Sequence, residues 1–536
     1  MEAATAKTIR EETRRRRTFA IISHPDAGKT TLTEKLLLYS GMIRTAGMVG
    51  GRKSNKSAAS DWMSMEQERG ISITASAMQF TYKGTVINVL DTPGHQDFSE
   101  DTYRTLTAAD SAIMVIDAAK GVEAQTRKLF EVCRMSGIPV LTFVNKMDMP
   151  GLDPIDLMAE VEEVLGIEAS PYNWPIGSGK AFAGVVHRAD EQAYLYRKVA
   201  AAGSQMPEVS KVPLEDAAET DYRVTDDVLE QVMEDVELLE VAGNPYTHEA
   251  FLNREITPVF FGSALTGFGV EMLFDVFVDI TPAPSPRPAD HKNGSEIIID
   301  PVEKPFSAYV FKLQANMDPR HRDCVAFMRI NSGRYERNLQ VKHDRLGRQI
   351  RLSRPHSLMV DDRKTIEEAF PGDVIGVMNP GLFAIGDTVS VDGGFQFKPL
   401  PQFQPELFSR IRPADFGKRK SLDKGLKQLV AEGAIQLLED WVDTGNPPIV
   451  AAVGQLQFEV LQYRLKDEYK VGVDLQKLPY DCSAWVIGEI STFKKPINAL
   501  LTRDQYGRPL VLFSSTWEKD YAIRENPEHQ IVDYAT

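Results

Sequence analysis

Cysteine is scarce in this sequence: the 536 residues include only Cys133, Cys324 and Cys482, which lie far apart without a C-x-x-C pair. This spacing supplies neither a disulfide framework nor a zinc motif, and it indicates a reducing compartment. Long apolar runs are also missing, since none reaches the roughly 18 residues of a membrane span. The opening residues are basic, but acids interrupt them and no apolar core follows, so neither a signal nor a transit peptide fits. We therefore expect a cytoplasmic protein with no membrane partner.

Positive charge is in deficit, because 76 acidic residues face 61 basic ones and give a formal charge of −15. The two signs are nevertheless segregated along the chain. Residues 208–240 contain 12 acidic and two basic residues, whereas residues 312–354 contain 11 basic and four acidic ones and residues 410–427 contain seven basic and two acidic ones. The later half could therefore contact phosphate backbones, but solvated basic faces are common and charge alone leaves both interpretations open.

The segment "SHPDAGKTT" nearly matches the phosphate-binding pattern G-x-x-x-x-G-K-[ST], with Ser23 in place of the first glycine. An apolar run of strand length precedes the segment, and leucines at helical spacing follow it. A loop between a strand and a helix N-terminus can hold phosphates through backbone N–H groups and the helix dipole. Lys29 is predicted to neutralise β- and γ-phosphate charge, and Thr30 to ligate Mg²⁺. The predicted nucleotide-binding residues here are Ser23, His24, Pro25, Asp26, Ala27, Gly28, Lys29, Thr30 and Thr31.

A second apolar run, in "VINVLDTPGHQDF", leads into an Asp-Thr-Pro-Gly turn. An acid at a strand end can hold Mg²⁺ through water, and Gly94 can place a backbone N–H on the γ-phosphate. Such turns also end strands that bind nothing, so the motif gains weight only beside its companions. Its predicted nucleotide-binding residues are Asp91, Thr92, Pro93, Gly94 and His95, and Asp91 is also predicted to be a metal ligand through water.

Two more motifs follow predicted strands. In "IPVLTFVNKMD", the carboxylate of Asp148 can accept two hydrogen bonds from guanine, a pair that adenine does not offer. In "TPVFFGSALTGFG", the strand ends in backbone donors for the guanine carbonyl oxygen. Because open α/β sheets bind ligands at the carboxyl ends of their strands, the four motifs together predict a guanine-nucleotide-binding α/β domain. The nucleotide-binding residues predicted here are Asn145, Lys146, Asp148, Ser263, Ala264 and Leu265.

A nucleotide-sensitive loop is predicted at "QERGISIT", Gln67 to Thr74, between the first helix and the next strand. Its hydroxyls could reach Mg²⁺ and the γ-phosphate. A loop held only by the γ-phosphate orders with GTP and loosens after hydrolysis. Ser72 is the predicted metal ligand, and Thr74 is the alternative.

The segments "SHPDAGKTT", "RGISIT", "DTPGH" and "NKMD" together resemble the translational GTPases. In that family the residue that opens the phosphate loop is often not glycine, which accounts for Ser23. The resemblance implies GTP/GDP and Mg²⁺ as cofactors, and a catalytic His95 that orients the attacking water once the large ribosomal subunit positions it. It also implies that Asp26 helps to organise the loop. Most relatives carry Thr where this chain has Ser72, so the choice between Ser72 and Thr74 stays open.

Between Asp148 and Ser263 lie 114 residues, far more than a minimal GTPase domain needs. This insertion resembles the inserted subdomain of elongation factor G. After the GTPase unit comes a proline-rich segment, then short strand-like runs separated by turns, and then mixed helix and strand patterns. The predicted fold is an α/β P-loop GTPase domain followed by a β-barrel domain and a C-terminal α+β domain. The predicted limits are 1–280 with an insertion at about 152–255, a linker at 281–304, a barrel at 305–398 and the last domain at 399–536.

The domain order, with details such as "SDWMSMEQERGISIT" and "ANMDPRHRDCVAFMRI", is similar to the family of peptide chain release factor 3. No sequence remains for the two further domains of elongation factor G. The resemblance implies a ribosome-dependent GTPase of translation termination, which promotes departure of the class-one release factor after peptide release, hydrolyses GTP and leaves. The implied partners are ribosomal RNA and proteins of both subunits, with the class-one factor contacted indirectly on the ribosome. A monomer is expected.

Alternatives stay open on the sequence alone. A three-domain relative of elongation factor G or of ribosomal protection proteins would act at another translation step, and a regulator could bind guanine nucleotide without turnover. An ATPase is hard to reconcile with Asp148. No arginine finger is evident; Arg69 and the run Arg14 to Arg17 are the available arginines, and the run is interpreted as a solvated tail or a ribosome contact.

Overall fold

The computed structural model describes residues 3–42, 76–93, 95, 97, 99–197, 206–315, 324–352, 366–398, 402–443 and 445–535. The predictions made for Arg69, Ser72, Thr74 and Gly94 therefore lie outside the described residues. Within the described ranges, no helix is both long enough and apolar enough to cross a membrane.

Seven strands form the sheet of the N-terminal domain: β1 Arg16–Ser23, β2 Ser76–Tyr82, β3 Thr85–Asp91, β4 Ser111–Asp117, β5 Val140–Asn145, β6 Glu168–Pro171 and β11 Ile256–Phe261. Their order is β2-β3-β1-β4-β5-β11-β6, and only the edge pair β2 and β3 is antiparallel. Strands β4, β5 and β11 are buried along their whole length, as apolar parallel strands covered on both faces must be. The carboxyl ends of β1, β3, β4, β5 and β11 thus share one edge of the sheet.

Helices connect these strands, because parallel neighbours need a crossover. The helix after β1 starts at Lys29, directly behind Gly28, and buries its leucines against the sheet. The helix after the Asp91 turn is only eight residues long and is here named the hub helix, Ser99–Leu106. Among the described residues, the other helices that belong to this sheet are Ala3–Arg14, Lys29–Tyr39, Ala124–Met135, Pro154–Leu165 and Val270–Ile280.

An antiparallel four-stranded sheet is inserted between β6 and β11, in the order β10-β9-β8-β7. The insertion was expected at about 152–255. However, β6 pairs in parallel with β11, so β6 is a strand of the main sheet and the helix Pro154–Leu165 before it is one of that sheet's connections. The separate sheet therefore begins at Asn173. Its elements are β7 Asn173–Ile176, β8 Gly184–His187, β9 Gln192–Arg197 and β10 Glu208–Pro213, followed by helices Ala217–Thr220, Asp226–Ala242 and His248–Leu252.

The segment predicted as a linker contains two strands, β12 Arg287–His291 and β13 Glu296–Ile299, which pair with each other, and β12 also pairs with β22 Phe395–Phe397. Between them in sequence lies the second domain, whose six-stranded sheet has the order β18-β17-β21-β14-β15-β20. Its strands are short and alternate with turns, as the sequence predicts. The six strands of this sheet are β14 Ser307–Ala315, β15 Cys324–Ser332, β17 Gln340–His343, β18 Arg348–Arg351, β20 Val374–Met378 and β21 Thr388–Ser390. Two further strands, β16 Tyr335–Glu336 and β19 Glu368–Ala369, form a separate pair.

The C-terminal domain combines an eight-stranded sheet with three helices. The sheet order is β27-β24-β26-β25-β29-β30-β28-β31, and a short pair, β23 Gln402–Phe403 and β32 Tyr534–Ala535, lies apart from it. The helices are Arg419–Ala431, Gln455–Tyr469 and Thr516–Glu525. The strands are β24 Leu407–Pro413, β25 Gln436–Asp440, β26 Ile449–Ala452, β27 Val473–Lys477, β28 Cys482–Ile487, β29 Leu500–Arg503, β30 Pro509–Phe513 and β31 Gln530–Val532.

Buried ion pairs join the first two domains. Arg329 of β15 lies 2.6 Å from Asp110, which directly precedes β4, and both side chains are buried. Arg287 also contacts Asp110, at 3.5 Å. Burial lowers the pKa of Arg329, and the Asp110 carboxylate opposes that change. A guanidinium in this position needs its partner, because an unpaired buried charge is costly.

Arg16 belongs to the arginine run that was interpreted as a solvated tail or a ribosome contact, but it is not solvated. Its side chain is buried, with Nε 2.8 Å from Asp373 of the second domain and Nη1 2.6 Å from Glu12. The cause is that β1 begins at Arg16, which places this side chain between the first domain and the barrel. For Arg16 the prediction of a solvated residue is wrong.

Replacing Asp110 by Ala should lower the free energy of unfolding by about 3–5 kcal/mol, because Arg329 would stay buried without a counter-charge. Urea denaturation followed by tryptophan fluorescence would measure the loss. The matched control is Glu367→Gln, which removes an exposed partner of Arg337 at 3.2 Å and should cost less than about 1 kcal/mol. Equal losses in the two variants would contradict a structural role for the buried pair.

Candidate functional site

The phosphate loop lies where the sequence predicts it, between β1 and the helix Lys29–Tyr39. Two of its residues adopt left-handed backbone conformations, Asp26 with φ 66° and Gly28 with φ 97°. A Cβ at Gly28 would also overlap the side-chain nitrogen of Asn145, so both conformation and close approach require glycine. A loop of this kind in front of a helix N-terminus collects N–H groups for an anion.

The side chain of Asn145 ties three of the predicted motifs together. Its Nδ2 donates to the carbonyl oxygen of Ala27 in the phosphate loop at 2.7 Å. Its Oδ1 accepts from the backbone N–H of Ala264 at 2.8 Å. The N–H of Met147 donates to the carbonyl oxygen of Gly262 at 3.1 Å and adds a second tie. The donor predicted for a guanine oxygen at Ala264 is therefore already engaged by Asn145.

Lys29 and Asp91 form a buried ion pair at the centre of this edge, with Nζ 2.6 Å from Oδ1. Lys29 also donates to the carbonyl oxygen of Thr92. Within the described residues, the buried Oδ2 of Asp91 and the buried hydroxyl of Ser23 have no hydrogen-bond partner. A hydroxyl, a free carboxylate oxygen and an ammonium group at a helix N-terminus fit a phosphate ligand and its hard divalent cation.

Asp148 lines a cavity of about 620 Å³ between the N-K-x-D loop and the inserted subdomain. No hydrogen bond to its carboxylate is found among the described residues, so it can accept bonds from a ligand. The neighbouring Lys146 instead pairs with Asp117 at 2.7 Å and has φ 70°. The cavity is also lined by Lys180, Arg197 and Phe268.

The inserted subdomain contacts the N-K-x-D loop directly. The N–H of Gly179 donates to the carbonyl oxygen of Met147 at 2.8 Å, and Gly179 has φ 59°. The Met147 backbone thus bonds on both sides, to Gly262 and to Gly179. The insertion is therefore in a position to hold the loop that carries Asp148.

His95 follows the Asp-Thr-Pro-Gly turn and its side chain is 35% exposed. Its Nδ1 lies 3.2 Å from Oδ1 of Asp97 and 3.3 Å from the backbone nitrogen of Asp97. The imidazole is thus held by its Nδ1 edge, and Nε2 lies on the opposite edge of the ring. The structure places His95 beside the nucleotide edge of the sheet, one turn beyond Asp91.

The structure locates most of the remaining predicted residues on the same edge. Thr30 and Thr31 are in the first turn of the helix Lys29–Tyr39, as a phosphate loop requires. The side chain of His24 is 3.1 Å from Glu123, so this imidazole faces the start of the helix Ala124–Met135. Gly94 and Ser72, the predicted γ-phosphate donor and metal ligand, lie outside the described residues. The other predicted residues, Pro25, Thr92, Pro93, Ser263 and Leu265, lie in the loops at the ends of β1, β3 and β11.

Sequence reasoning missed Asp117 and Asp97. Asp117 ends β4 and orients Lys146, and its Oδ1 also accepts from the N–H of Ala119 at 2.9 Å. An acid at the end of the buried run "SAIMVID" is the same signal that identified Asp91, and it could have been used. Asp97 had no such signal, because it does not end a strand and its second partner, the N–H of Leu456, is distant in sequence.

Three family models match consecutive parts of the chain. The model described as "Elongation factor Tu GTP binding domain" matches residues 14–283. "Elongation factor G domain 2" matches residues 305–392, and "Class II release factor RF3, C-terminal domain" matches residues 397–523. They confirm the predicted fold class, an α/β P-loop GTPase domain followed by a β-barrel domain and a C-terminal α+β domain.

A solved structure of a protein from Thermus thermophilus matches this chain with a TM-score of 0.68. The matched region covers 91% of this chain and 72% of the Thermus thermophilus chain, at 24% sequence identity. At this identity the likeness concerns the fold alone.

Curated relatives match over nearly the full length. A protein of Symbiobacterium thermophilum is 50% identical, over 97% of this chain and 98% of its own. A protein of Microcystis aeruginosa is 49% identical, over 99% and 96%, and one of Gloeobacter violaceus is 48% identical, over 98% and 99%. All three are named "Peptide chain release factor 3". This chain is a translational GTPase, and it belongs to the family of peptide chain release factor 3.

Proposed function

We propose that the protein acts at translation termination as a ribosome-dependent GTPase. In its GTP-bound form it enters the ribosome after peptide release and promotes departure of the class-one release factor, and GTP hydrolysis then drives its own departure. The observation that supports the proposal is that the predicted nucleotide motifs meet at one edge of the sheet, in a chain whose last domain matches the release-factor model. Such a cycle requires differential binding: one nucleotide state must favour one domain arrangement, and the ribosome must bind that arrangement more tightly than the other.

The nucleotide phosphates are assigned to the phosphate loop, with Lys29 as the cation, and the guanine base to Asp148. A Mg²⁺ ion would be held by Thr30, by Ser72 and, through water, by Asp91, and it would stabilise charge on the transferred phosphoryl group. Ser263, Ala264 and Leu265 close the guanine side. Because Asn145 holds Ala264 N–H, the base must share this donor with Asn145 or use the next N–H, that of Leu265.

The pair between Lys29 and Asp91 explains how the nucleotide would act on the loop that carries His95. A phosphate at the loop competes with Asp91 and the Thr92 carbonyl for the same ammonium group. When Lys29 turns to the phosphate, the Asp91 turn loses two bonds and is free to take another position. Nucleotide binding is thus linked to the chain from Asp91 to the hub helix.

His95 is assigned the role of orienting the attacking water, through the imidazole edge that carries Nε2. The remaining chemistry is positioning and charge neutralisation by Lys29 and backbone donors. The partners proposed are ribosomal RNA and proteins of both subunits in the cytoplasm, with the class-one factor reached only indirectly, and the protein is proposed to act as a monomer. The domain limits stay a proposal, with the start of the insertion moved from about 152 to the end of β6.

The first test measures GTP turnover with and without ribosomes, in the presence and absence of a class-one release factor. Strong stimulation by ribosomes together with faster recycling of that factor is the expected result. Stimulation without recycling would move the protein to another translation step, as a three-domain relative of elongation factor G or of ribosomal protection proteins. Turnover that stays at the free-protein rate would leave only guanine-nucleotide binding.

Asp148→Asn should lower GTP affinity by about 100-fold, because two hydrogen bonds to a charged acceptor are lost. Xanthine nucleotides should gain affinity, since the new amide can donate to the xanthine oxygen. Competition binding with both nucleotides would show the exchange. Asp156→Asn, an exposed acid in the next helix, is the control and should leave both affinities unchanged. Unaltered guanine discrimination in Asp148→Asn would remove the role given to Asp148.

His95→Ala should leave GTP affinity nearly unchanged and lower ribosome-stimulated turnover by about 100-fold or more. Single-turnover hydrolysis at saturating ribosomes measures the effect. His248→Ala removes an exposed imidazole in the insertion and should behave like the unmodified protein. Normal turnover in His95→Ala would mean that another group orients the water.

Charge neutralisation in the helix Arg419–Ala431 and the residue before it should weaken ribosome binding. Lys418, Arg419, Lys420 and Lys424 are all exposed, and the nearby residue Phe416 is 83% exposed. Replacing the four by Gln should flatten the slope of log affinity against log salt by about 0.7–0.9 for each phosphate that is no longer neutralised. Binding would be measured across salt concentrations.

The control for this set replaces four other exposed basic residues of the same domain by Gln: Lys466, Lys477, Lys494 and Arg524. It changes the net charge equally and should change the slope less. Equal slopes for the two sets would mean that the basic run does not contact ribosomal phosphates and is only a solvated surface.

A further inference from the structure

A buried carboxylate connects His95 to the C-terminal domain. Asp97 is 5% exposed, and its Oδ1 lies 3.2 Å from Nδ1 of His95. Its other oxygen, Oδ2, accepts from the backbone N–H of Leu456 at 2.7 Å. One side chain of the first domain thus contacts both the proposed catalytic imidazole and a helix that lies more than 350 residues further along the chain.

The C-terminal partner is the start of the helix Gln455–Tyr469. Helix N-termini leave backbone N–H groups unsatisfied, and a Ser, Thr, Asp or Asn side chain usually accepts from them. Here the cap position is Gly454, which has no side chain, and Asp97 supplies the acceptor from another domain. The helix dipole favours a carboxylate at this end.

The absence of a side chain at Gly454 leaves the space that the Asp97 carboxyl group occupies. A Cβ on Gly454 would overlap the Asp97 carboxyl group, so even alanine would displace it. The backbone at Gly454 is extended, with φ −143° and ψ 167°, a conformation open to every residue. The absence of a side chain therefore follows from the space that Asp97 occupies and not from backbone strain.

A second contact between the same two parts lies one helical turn away. Glu100 in the hub helix is buried, pairs with Arg104 and accepts a hydrogen bond from the side chain of Gln436, and burial raises its pKa. Arg104 also donates to the carbonyl oxygen of Gly433, at 3.5 Å, and a Cβ at Gly433 would overlap its guanidinium. The C-terminal domain thus holds the segment after His95 at two points.

The position of Asp97 decides which nitrogen of His95 is protonated. If Nδ1 carries the proton, it donates to the Asp97 carboxylate and leaves the Nε2 lone pair to accept from water. If Nδ1 instead accepts from the Asp97 backbone N–H, the proton sits on Nε2 and that lone pair is lost. A carboxylate at 3.2 Å favours the first form, as it does for histidines in other sites.

We propose that Asp97 is the positioning residue of His95, and that the C-terminal domain controls it through Leu456 N–H and the side-chain-free cap at Gly454. When the domain is docked, Asp97 holds the imidazole in one orientation, with the proton on Nδ1. When the domain moves away, Asp97 loses its acceptor role at the cap and His95 loses its orientation. The inference rests on the proposed role of His95 in hydrolysis.

The test compares Gly454→Ala and Asp97→Asn with a control, Gly472→Ala. Gly472 lies in the same domain, and a Cβ there would make only an ordinary contact with Ala414 at 3.7 Å. Single-turnover GTP hydrolysis is measured at saturating ribosomes, together with GDP affinity and the ribosome concentration for half-maximal rate. Gly454→Ala and Asp97→Asn should lower kcat by about 10–100-fold, as loss of an orienting partner does, while both binding measures change less than twofold.

A double-mutant cycle with His95→Ala separates orientation from general damage. If Asp97 acts through His95, adding Gly454→Ala to His95→Ala should cost nothing further. Additive losses, or a loss that appears in ribosome affinity instead of kcat, would overturn the inference. Unchanged kcat in both Gly454→Ala and Asp97→Asn, with His95→Ala impaired, would also overturn it. Unchanged kcat in His95→Ala itself would remove the proposed role of His95 first.

Discussion

The loops proposed to bind the nucleotide depend on one amide group, the side chain of Asn145. It holds the phosphate loop by the Ala27 carbonyl and the last motif by the Ala264 N–H, and these loops come from different strand ends of the sheet. Gly28 leaves the space that this amide needs. Each loop alone would be free to move at the surface. The entropy lost when a bound phosphate or base orders the loop would then lower the binding affinity. With Asn145 in place, much of that ordering is present before a nucleotide arrives.

The hub helix joins the first domain to the other two domains, as Asn145 joins the loops at the sheet edge. Its residues contact the barrel through Asp101 and Lys312, at 3.2 Å, and the C-terminal domain through Glu100 and Arg104. The segment that leads into it carries Asp91 and His95. With the roles proposed for Asp91 and His95, phosphate binding, water orientation and domain docking meet on one short stretch of chain, as the proposed partner-dependent hydrolysis requires.

The sequence was sufficient for the fold and for the motifs at the strand ends, because both follow from local patterns. Buried strands such as β4 and β5 are continuous apolar runs, and the residues that end them, among them Asn145, must meet at one edge of a parallel sheet. The start of the insertion was less visible, since β6 differs from the strands of the inserted sheet only in its partner, β11.

Long-range contacts could not be read from local patterns. Arg16 belongs to a basic run that resembles a solvated tail, and only its distant partner Asp373 explains its burial. Asp97 reads as a polar loop residue until Gly454 and Leu456 of another domain are placed against it. These pairs depend on docking of separately folded units, for which one sequence carries no periodic signal.

The shared use of the hub helix also affects how the protein unfolds. Multidomain proteins usually lose their domains one at a time, in separate transitions. Here, melting the C-terminal domain would take Gln436 from the buried acid Glu100 and the Gly433 carbonyl from Arg104, and melting the barrel would take Lys312 from Asp101. Each change weakens the segment that follows Asp91 and His95, so the three domains share part of their stability. A nucleotide that stabilises the first domain then also protects the other two.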